Sequence, residues 1–256
     1  MKNRIATLAR HTVREAVRTR LGLLTVAVIA ALFGASLFVR EIAITESVRF
    51  QTVFYAATIR LAAVLIAALF AIASVAREFH DKGIEIALAL DLPRSHYILG
   101  KIAGLLAIAG GLSLAAGLPL LALSGWETVL AWTCSLALEL AIVMAVSLFC
   151  VLTLSQLVPA FAFVVGFYVL ARTLTAIRLI GANPVADATA LSHRLMTWLT
   201  EALALIVPAL DGWTRSAWLT DHAPAWTALA AIGAHSLLLV VLLTAAAVFD
   251  MYRKNF

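Results

Sequence analysis

Charged residues are scarce in this chain. Of its 256 residues, 13% are charged and 63% are hydrophobic, and the mean hydropathy is +1.01. Soluble domains carry about 25% charged residues. The composition therefore excludes an ordinary soluble domain and predicts a polytopic membrane protein.

Cysteine is also rare, and basic charge is not gathered on one surface. Cys134 and Cys150 fall in one apolar run, too far apart along a helix to pair and too few for a disulfide framework. The net charge is +5, but the basic residues flank apolar runs and do not alternate with aromatic residues. This pattern favours a membrane topology, and we expect no nucleic-acid partner.

The motifs of several enzyme classes are missing. No G-x-x-x-x-G-K-[S/T] sequence occurs, and no polar segment is long enough for a nucleotide-binding domain. Ser36 and Ser113 fall in apolar runs without the G-x-S-x-G setting of a nucleophile. His80, His96 and His193 stand alone, without metal-ligand spacing. We therefore expect no catalytic residues, no metal and no cofactor in this chain.

The apolar runs predict an all-α, single transmembrane domain over residues 1–256. Small residues in the third run, Gly104, Gly110, Gly111 and Gly117, would let helices approach closely, and Pro119 would bend that helix. The predicted spans cover residues 21–39, 52–76, 102–124, 129–154, 159–176 and 226–248.

Two further segments flank or interrupt these spans. Residues 1–20 are basic and amphipathic, which predicts a helix lying along the membrane surface. Residues 177–225 form a long segment whose middle, 195–210, is apolar but too short to cross a membrane. We expect re-entrant or interfacial helices there, before the sixth span.

The loop over residues 77–101, REFHDKGIEIALALDLPRSHYILGK, carries more sequence detail than a turn needs. Gly83 frees the backbone, and the following run of Ala, Leu and Ile predicts a short helix that Leu92 and Pro93 end. Ser95 is a candidate cap for a second helix. We interpret the loop as a docking element.

The distribution of lysine predicts the orientation. With both termini in the cytoplasm, Lys2, Lys82, Lys101 and Lys254 all lie inside, as the positive-inside rule requires. The loop over 77–101 is then cytoplasmic and the 177–225 segment extracytoplasmic. The six tryptophans would form an aromatic belt at or near the outer face.

Four ionisable residues fall within or near the predicted spans: Arg60, Glu139, Arg172 and His235. An unpaired charge at the bilayer centre costs about 2.5 to 3.5 kcal/mol, so each needs a partner. One interpretation is that they line a path for a substrate or a proton. The other is that Glu139 pairs with Arg60 or Arg172 and that His235 bonds a carbonyl.

Several segments together resemble a known family. The N-terminal ARHTVREAVRTRLGLL, the loop over 77–101 and the broken helices before the last span are similar to ABC-2 type permease subunits. The resemblance is strongest to the small six-span permeases of the kind named for nitrous-oxide-reductase maturation.

The resemblance implies the membrane subunit of an ATP-binding-cassette exporter in a bacterial inner membrane. Such a permease pairs with a second one, here as a homodimer, and docks a coupling helix, here residues 83–92, on a cytoplasmic ATPase that binds ATP and Mg. The residues implied for docking are Glu78, Gly83, Ile84, Glu85, Leu88, Leu92, Pro93 and Arg94. The resemblance does not identify the transported substrate. The alternative is a proton-coupled carrier or channel that uses Glu139 and His235.

Overall fold

The computed structural model describes residues 2–44, 46–80, 93–182, 198–204, 207–221 and 223–253. These residues form helices and short links, with no strand among them. The long helices are named here α1 to α7. Their bounds are Lys2–Arg18, Leu21–Ile42, Ser47–His80, Arg94–Gly117, Trp126–Leu154, Leu157–Ala182 and Trp226–Arg253.

Shorter elements follow two of the long helices. A 3₁₀ helix, Leu118–Ala122, continues α4. Between α6 and α7, residues 198–204 are helical, and a 3₁₀ turn, Leu210–Gly212, precedes a short helix, Ala217–Thr220.

Six helices of the described chain are long and apolar enough to cross a membrane. They are α2, α3, α4 with its 3₁₀ extension, α5, α6 and α7. The prediction of an all-helical chain with six helices of spanning length is therefore confirmed. The predicted amphipathic segment at the N-terminus is also helical and forms α1.

The helices extend beyond the predicted spans. α3 begins at Ser47, inside the stretch predicted as a polar link, and α4 begins at Arg94. Hydropathy locates the apolar part of a helix, whereas its ends can carry charged residues into the interface. The prediction that Ser95 caps α4 is wrong, since Pro93 precedes the helix and Ser95 lies in its first turn.

The helix bundle has two ends with different contacts. At the end that holds α1, called the α1 end, the Arg94 guanidinium donates to the Met251 carbonyl at 2.8 Å. At the opposite, distal end, Arg49 forms an ion pair with Asp221 at 2.9 Å. α3 ends and α4 begins at the α1 end. The 207–221 segment reaches from Asp221 at the distal end to Arg60 and Arg172 near the middle of their helices.

Glycine lets α1 pack closely on α4. A Cβ atom at Gly104 would lie 2.6 Å from the Thr12 Cβ and 2.9 Å from the Ala9 carbonyl oxygen. At Gly100, a Cβ would lie 2.7 Å from the Leu8 Cδ2. Only glycine permits this approach, so α1 rests on the bundle along a defined line.

The other glycines of α4 differ among themselves. A Cβ atom at Gly117 would meet Thr133 on α5, whereas Gly110 and Gly111 have open space beside them. The predicted close approach is therefore found at Gly104 and Gly117 and not at Gly110 or Gly111.

The central helix of the bundle is α5. In its most apolar window 78% of the residues are buried, against 11% for both α2 and α7. Trp132 is fully buried in this core, while Trp126 and Trp226 are exposed at the distal end. Trp132 therefore departs from the predicted belt, because it packs against protein.

Candidate coupling site

Polar side chains from three helices meet at the α1 end, near the end of α3 and the start of α4. Glu15 comes from α1, Ser74 and Glu78 from α3, and Tyr97 and Lys101 from α4. Ser74 and Glu78 are four residues apart, and so are Tyr97 and Lys101. Each pair therefore lies on one face of its helix. These five residues are called the coupling cluster.

Lys101 is the centre of the coupling cluster. Its side chain is 1% exposed. The ammonium donates to the Ser74 hydroxyl at 2.7 Å and to the Glu78 carboxylate, and it lies 3.4 Å from Glu15 Oε2. A buried charge is costly unless it is paired and hydrogen-bonded. Three partners from α1 and α3 meet that requirement.

Glu15 connects α1 to the same group. Ser74 donates to its Oε2 at 2.6 Å, and Arg77 donates to its Oε1 at 3.0 Å. Burial alone would raise the pKa of Glu15, but the Ser74 hydrogen bond and the charges of Lys101 and Arg77 together lower it below its ordinary value. The carboxylate is thus held as an anion.

Glu78 is the second carboxylate of the coupling cluster. It accepts hydrogen bonds from Lys101 and from the Tyr97 hydroxyl, and its side chain is 23% exposed. The resemblance implied that Glu78 contacts an ATPase subunit. In the structure, Glu78 forms hydrogen bonds with Lys101 and Tyr97 of its own chain.

Arg94 lies at the start of α4 and reaches the end of α7. Its guanidinium donates to the carbonyls of Met251 at 2.8 Å and Tyr252 at 3.4 Å. Carbonyls in the last turn of a helix have no intrahelical partner, and a basic side chain stabilises them. Pro93 stands directly before α4. The remaining docking residues, Gly83, Ile84, Glu85, Leu88 and Leu92, lie outside the described residues.

The coupling cluster ties α1 to both helices that flank the loop. α3 ends at His80 and α4 begins at Arg94. The two helices on either side of residues 81–92 are therefore joined to each other and to α1 through Lys101 and its partners.

Three side chains of types that can bind a metal ion lie close together at the coupling cluster. Ligand atoms of His11, Glu15 and Glu78 lie within 4.8 Å of one another. Both carboxylates already accept hydrogen bonds from Lys101 and other donors. The arrangement fits an internal ion-pair network better than a metal site.

A second charged group, called the distal group, lies near the middle of α3, α5 and α6, where these helices contact the 207–221 segment. Arg172 donates to the carbonyls of Leu210 at 2.7 Å and Thr214 at 2.8 Å. Arg60 donates to the same Thr214 carbonyl at 2.7 Å. Two arginines of the bundle thus hold the backbone of the 207–221 segment.

Glu139 belongs to this distal group and is fully buried. The Tyr168 hydroxyl donates to its Oε1 at 2.9 Å, and the Arg172 Nη1 lies 3.7 Å from the same oxygen. Within the described residues, the Glu139 Oε2 and the Arg60 Nε have no hydrogen-bond partner. The structure therefore brings three of the four predicted intramembrane residues together.

Two hydroxyl groups add to the attachment of the 207–221 segment. Ser135 donates to the Trp213 carbonyl at 2.7 Å, and Thr175 donates to the Asp211 carboxylate at 3.0 Å. Side chains from α3, α5 and α6 therefore hold residues 207–221, which belong to the segment predicted to contain re-entrant or interfacial helices.

His235 is separate from the distal group. Its ring Nδ1 lies 2.9 Å from the Ala231 carbonyl of its own helix. The side chain is exposed and lines a cleft of about 330 Å³ with Pro208, Trp213 and Leu238. The sequence grouped His235 with Glu139, and the structure gives the two residues different partners.

Sequence reasoning missed most of the coupling cluster. Glu15, Ser74 and Tyr97 were not singled out, and Lys101 was used only for orientation. Glu15 is the one acidic residue among residues 1–20, and Tyr97 and Lys101 are four residues apart. These signals indicate shared faces, but they do not say which helices meet.

Over the described residues, the fold and the two charged groups define a helical protein with six helices suited to a membrane, one ion-paired group at the α1 end and one near the middle of the bundle. Neither a scan against models of known protein families nor a search of curated proteins finds a match to this chain.

Proposed function

We propose that this chain is the membrane subunit of an ATP-driven exporter in the inner membrane of a bacterium. It would act as a homodimer with two cytoplasmic ATPase subunits docked on the loops over 81–92. The observation that carries the proposal is the coupling cluster, which joins α1 to both helices that flank this loop.

The physical argument concerns the transmission of force. A docking loop on loosely packed helices would absorb the movement of its partner. Here a buried lysine with two carboxylate partners holds three helices together, and removing one partner of such a group is costly. The loop base is therefore built as a rigid unit.

The charge distribution supports the proposed orientation. The α1 end carries exposed arginines on α1 at positions 10, 14 and 18. In the sequence, Lys2, Lys82 and Lys254 adjoin the ends of α1, α3 and α7. By the positive-inside rule, this distribution favours a cytoplasmic side for the α1 end, both termini and the loop.

In the proposed mechanism, ATP binding closes the two ATPase subunits and moves both loops. Within each permease, α1, α3 and α4 then shift as one unit, and the paired bundles open a path toward the distal end. ATP and Mg belong to the partner, and the transported substrate is not assigned.

The proposal is tested by affinity purification from native membranes through a C-terminal tag, with mass spectrometry of the bound proteins. We expect an ATPase of about 25 to 35 kDa, the size of one or two domains. The loop variant Glu85→Arg with Leu88→Asp should lose this partner at an unchanged membrane level.

The matched control is Glu127→Arg, a charge reversal at an exposed residue of the distal end. It should retain the partner. Recovery of the ATPase with the loop variant would refute docking at this loop.

The proton-coupled carrier is the second candidate, and the full burial of Glu139 favours it. The separate hydrogen bonds of Glu139 and His235 count against a shared proton path. A carrier would act without an ATPase, and Glu139→Gln would abolish pH-dependent flux in proteoliposomes of the purified chain.

A further inference from the structure

An apolar groove runs along the outside of the bundle near the α1 end. It is formed by α2, α3 and Phe161 of α6 and has a volume of about 470 Å³, within the usual range of small-molecule sites. Leu24 on α2 and Leu65 and Leu69 on α3 line it and are 37 to 48% exposed. The groove is thus an open apolar channel on the surface that faces a membrane.

The groove has a charged end. Arg20 and Arg77 both line it, together with Thr19. Within the described residues, the Arg20 side chain forms no ion pair or hydrogen bond. The Arg77 side chain is 51% exposed and uses one nitrogen on Glu15. Several guanidinium donors are therefore available at one end of an apolar channel.

The dimensions match one leaflet of a bilayer. Leu65 and Arg77 are twelve residues apart on α3, which corresponds to about 18 Å along a helix. The hydrocarbon core of one leaflet is about 15 Å deep, half of the usual thickness. The arginines would lie at the depth of a phospholipid headgroup, and the leucines at the depth of its acyl chains.

We propose that this groove binds an anionic phospholipid. The phosphate would accept hydrogen bonds from Arg20 and Arg77, and one acyl chain would lie along Leu24, Leu65 and Leu69. The inference does not depend on the proposed export function, since it requires only that the helices cross a membrane.

Charge complementarity favours a lipid over a second copy of the chain. A two-fold interface along this groove would use the same patch on both copies. It would bring the arginines of both copies toward each other, and like charges at an interface are unfavourable. An anionic headgroup neutralises them.

The test is native mass spectrometry of the full chain in mild detergent, titrated with phosphatidylglycerol or with phosphatidylcholine of the same acyl chains. We expect a first bound lipid with a clear preference for phosphatidylglycerol. Arg20→Gln should weaken that binding about fivefold, the effect of one basic residue near an anionic headgroup.

The control is Arg14→Gln, which removes the same charge from an exposed position on α1 that does not line the groove. It should bind lipid as the wild type does. Leu69→Trp should fill the groove and reduce binding, whereas Leu237→Trp on the exposed face of α7 should not.

Three results would overturn the proposal. Equal binding of the two lipids would remove the role of charge, and equal effects of Arg20→Gln and Arg14→Gln would remove the role of the groove. A dimer that forms without lipid and dissociates with Leu69→Trp would identify the groove as a contact between copies. If Leu69→Trp fails to fold, the arginine pair still decides the question.

Discussion

At the scale of residues, Lys101 is the most consequential side chain. It is buried at the α1 end with an ammonium that contacts Ser74, Glu78 and Glu15. A buried charge contributes little net stability compared with an apolar core, but breaking its pairing leaves uncompensated charge. The cluster therefore specifies how three helices meet more than it adds to the free energy of unfolding.

Replacing Lys101 by Met is expected to lower the free energy of unfolding by about 3 kcal/mol, because Glu15 and Glu78 lose their shared cation. Thermal unfolding in detergent measures this. Adding Glu15→Gln and Glu78→Gln should recover part of the loss, since the unpaired carboxylates are then neutral. An unchanged midpoint for Lys101→Met would show that the pairing is absent.

The pH dependence of Glu15 gives a second prediction. Because its pKa is lowered from 4.5 in the fold, its stabilising contribution is present above that value and is lost as pH falls through the folded pKa. Glu15→Gln should therefore be less stable than the wild type at pH 7, and the difference should shrink below about pH 4.

Unfolding midpoints of both proteins between pH 3 and 7 measure this difference. Glu127→Gln, at an exposed residue, is the control and should differ little from the wild type at every pH. A constant difference between Glu15→Gln and the wild type over the whole range would contradict the role of the Glu15 charge.

At the scale of elements, the packing of α1 on α4 depends on missing side chains. Gly100 and Gly104 leave room for Leu8, Ala9 and Thr12 of α1. An amphipathic helix that only lay on the membrane surface would not need this fit. α1 is therefore part of the bundle.

Gly104→Ala is expected to destabilise the protein by about 1 to 3 kcal/mol, because overpacking forces α1 away from α4. Gly110→Ala, in the same helix with open space beside it, should be neutral or stabilising by up to about 1 kcal/mol. Thermal unfolding in detergent compares the two. Equal effects would mean that α1 does not contact α4 along this line.

The distal segment provides another test at this scale. Arg172 holds the carbonyls of Leu210 and Thr214, so Arg172→Met should release residues 207–221. Hydrogen exchange of peptides from this segment should rise in the variant, because local opening becomes easier. Exchange at α5 should stay as in the wild type. Unchanged exchange at 207–221 would place the attachment elsewhere.

The elements were more predictable than their contacts. Hydropathy located the six long helices because their apolar runs exceed the length of a span. It missed the ends of α3 and α4, where charged residues continue the helix into the interface. Ser95 was misassigned as a cap because the helix already begins at Arg94, directly after Pro93.

The contacts of the charged groups could likewise not be predicted from the sequence. The sequence did not decide whether Glu139 pairs with Arg60 or with Arg172. In the structure, the Arg172 Nη1 lies 3.7 Å from the Glu139 Oε1, and the Tyr168 hydroxyl donates to the same oxygen. A periodic pattern says which face of a helix is polar. Which helices then meet depends on packing over the whole bundle, as the meeting of Glu15, Ser74 and Lys101 illustrates.

At the scale of the whole molecule, the described residues form a bundle with six helices of spanning length, a charged group at the α1 end and a second one near its middle. The coupling cluster joins α1 to the end of α3 and the start of α4, and the distal group holds the 207–221 segment. The proposed exporter uses both, since motion enters at one end and must open a path at the other.

The most direct test of the proposed function is the native mass of the particle purified from its own membranes in mild detergent. The account predicts two copies of this 27.3 kDa chain with two copies of an ATPase, and ATP hydrolysis by that particle. A stable particle that contains this chain alone and hydrolyses no ATP would contradict the account.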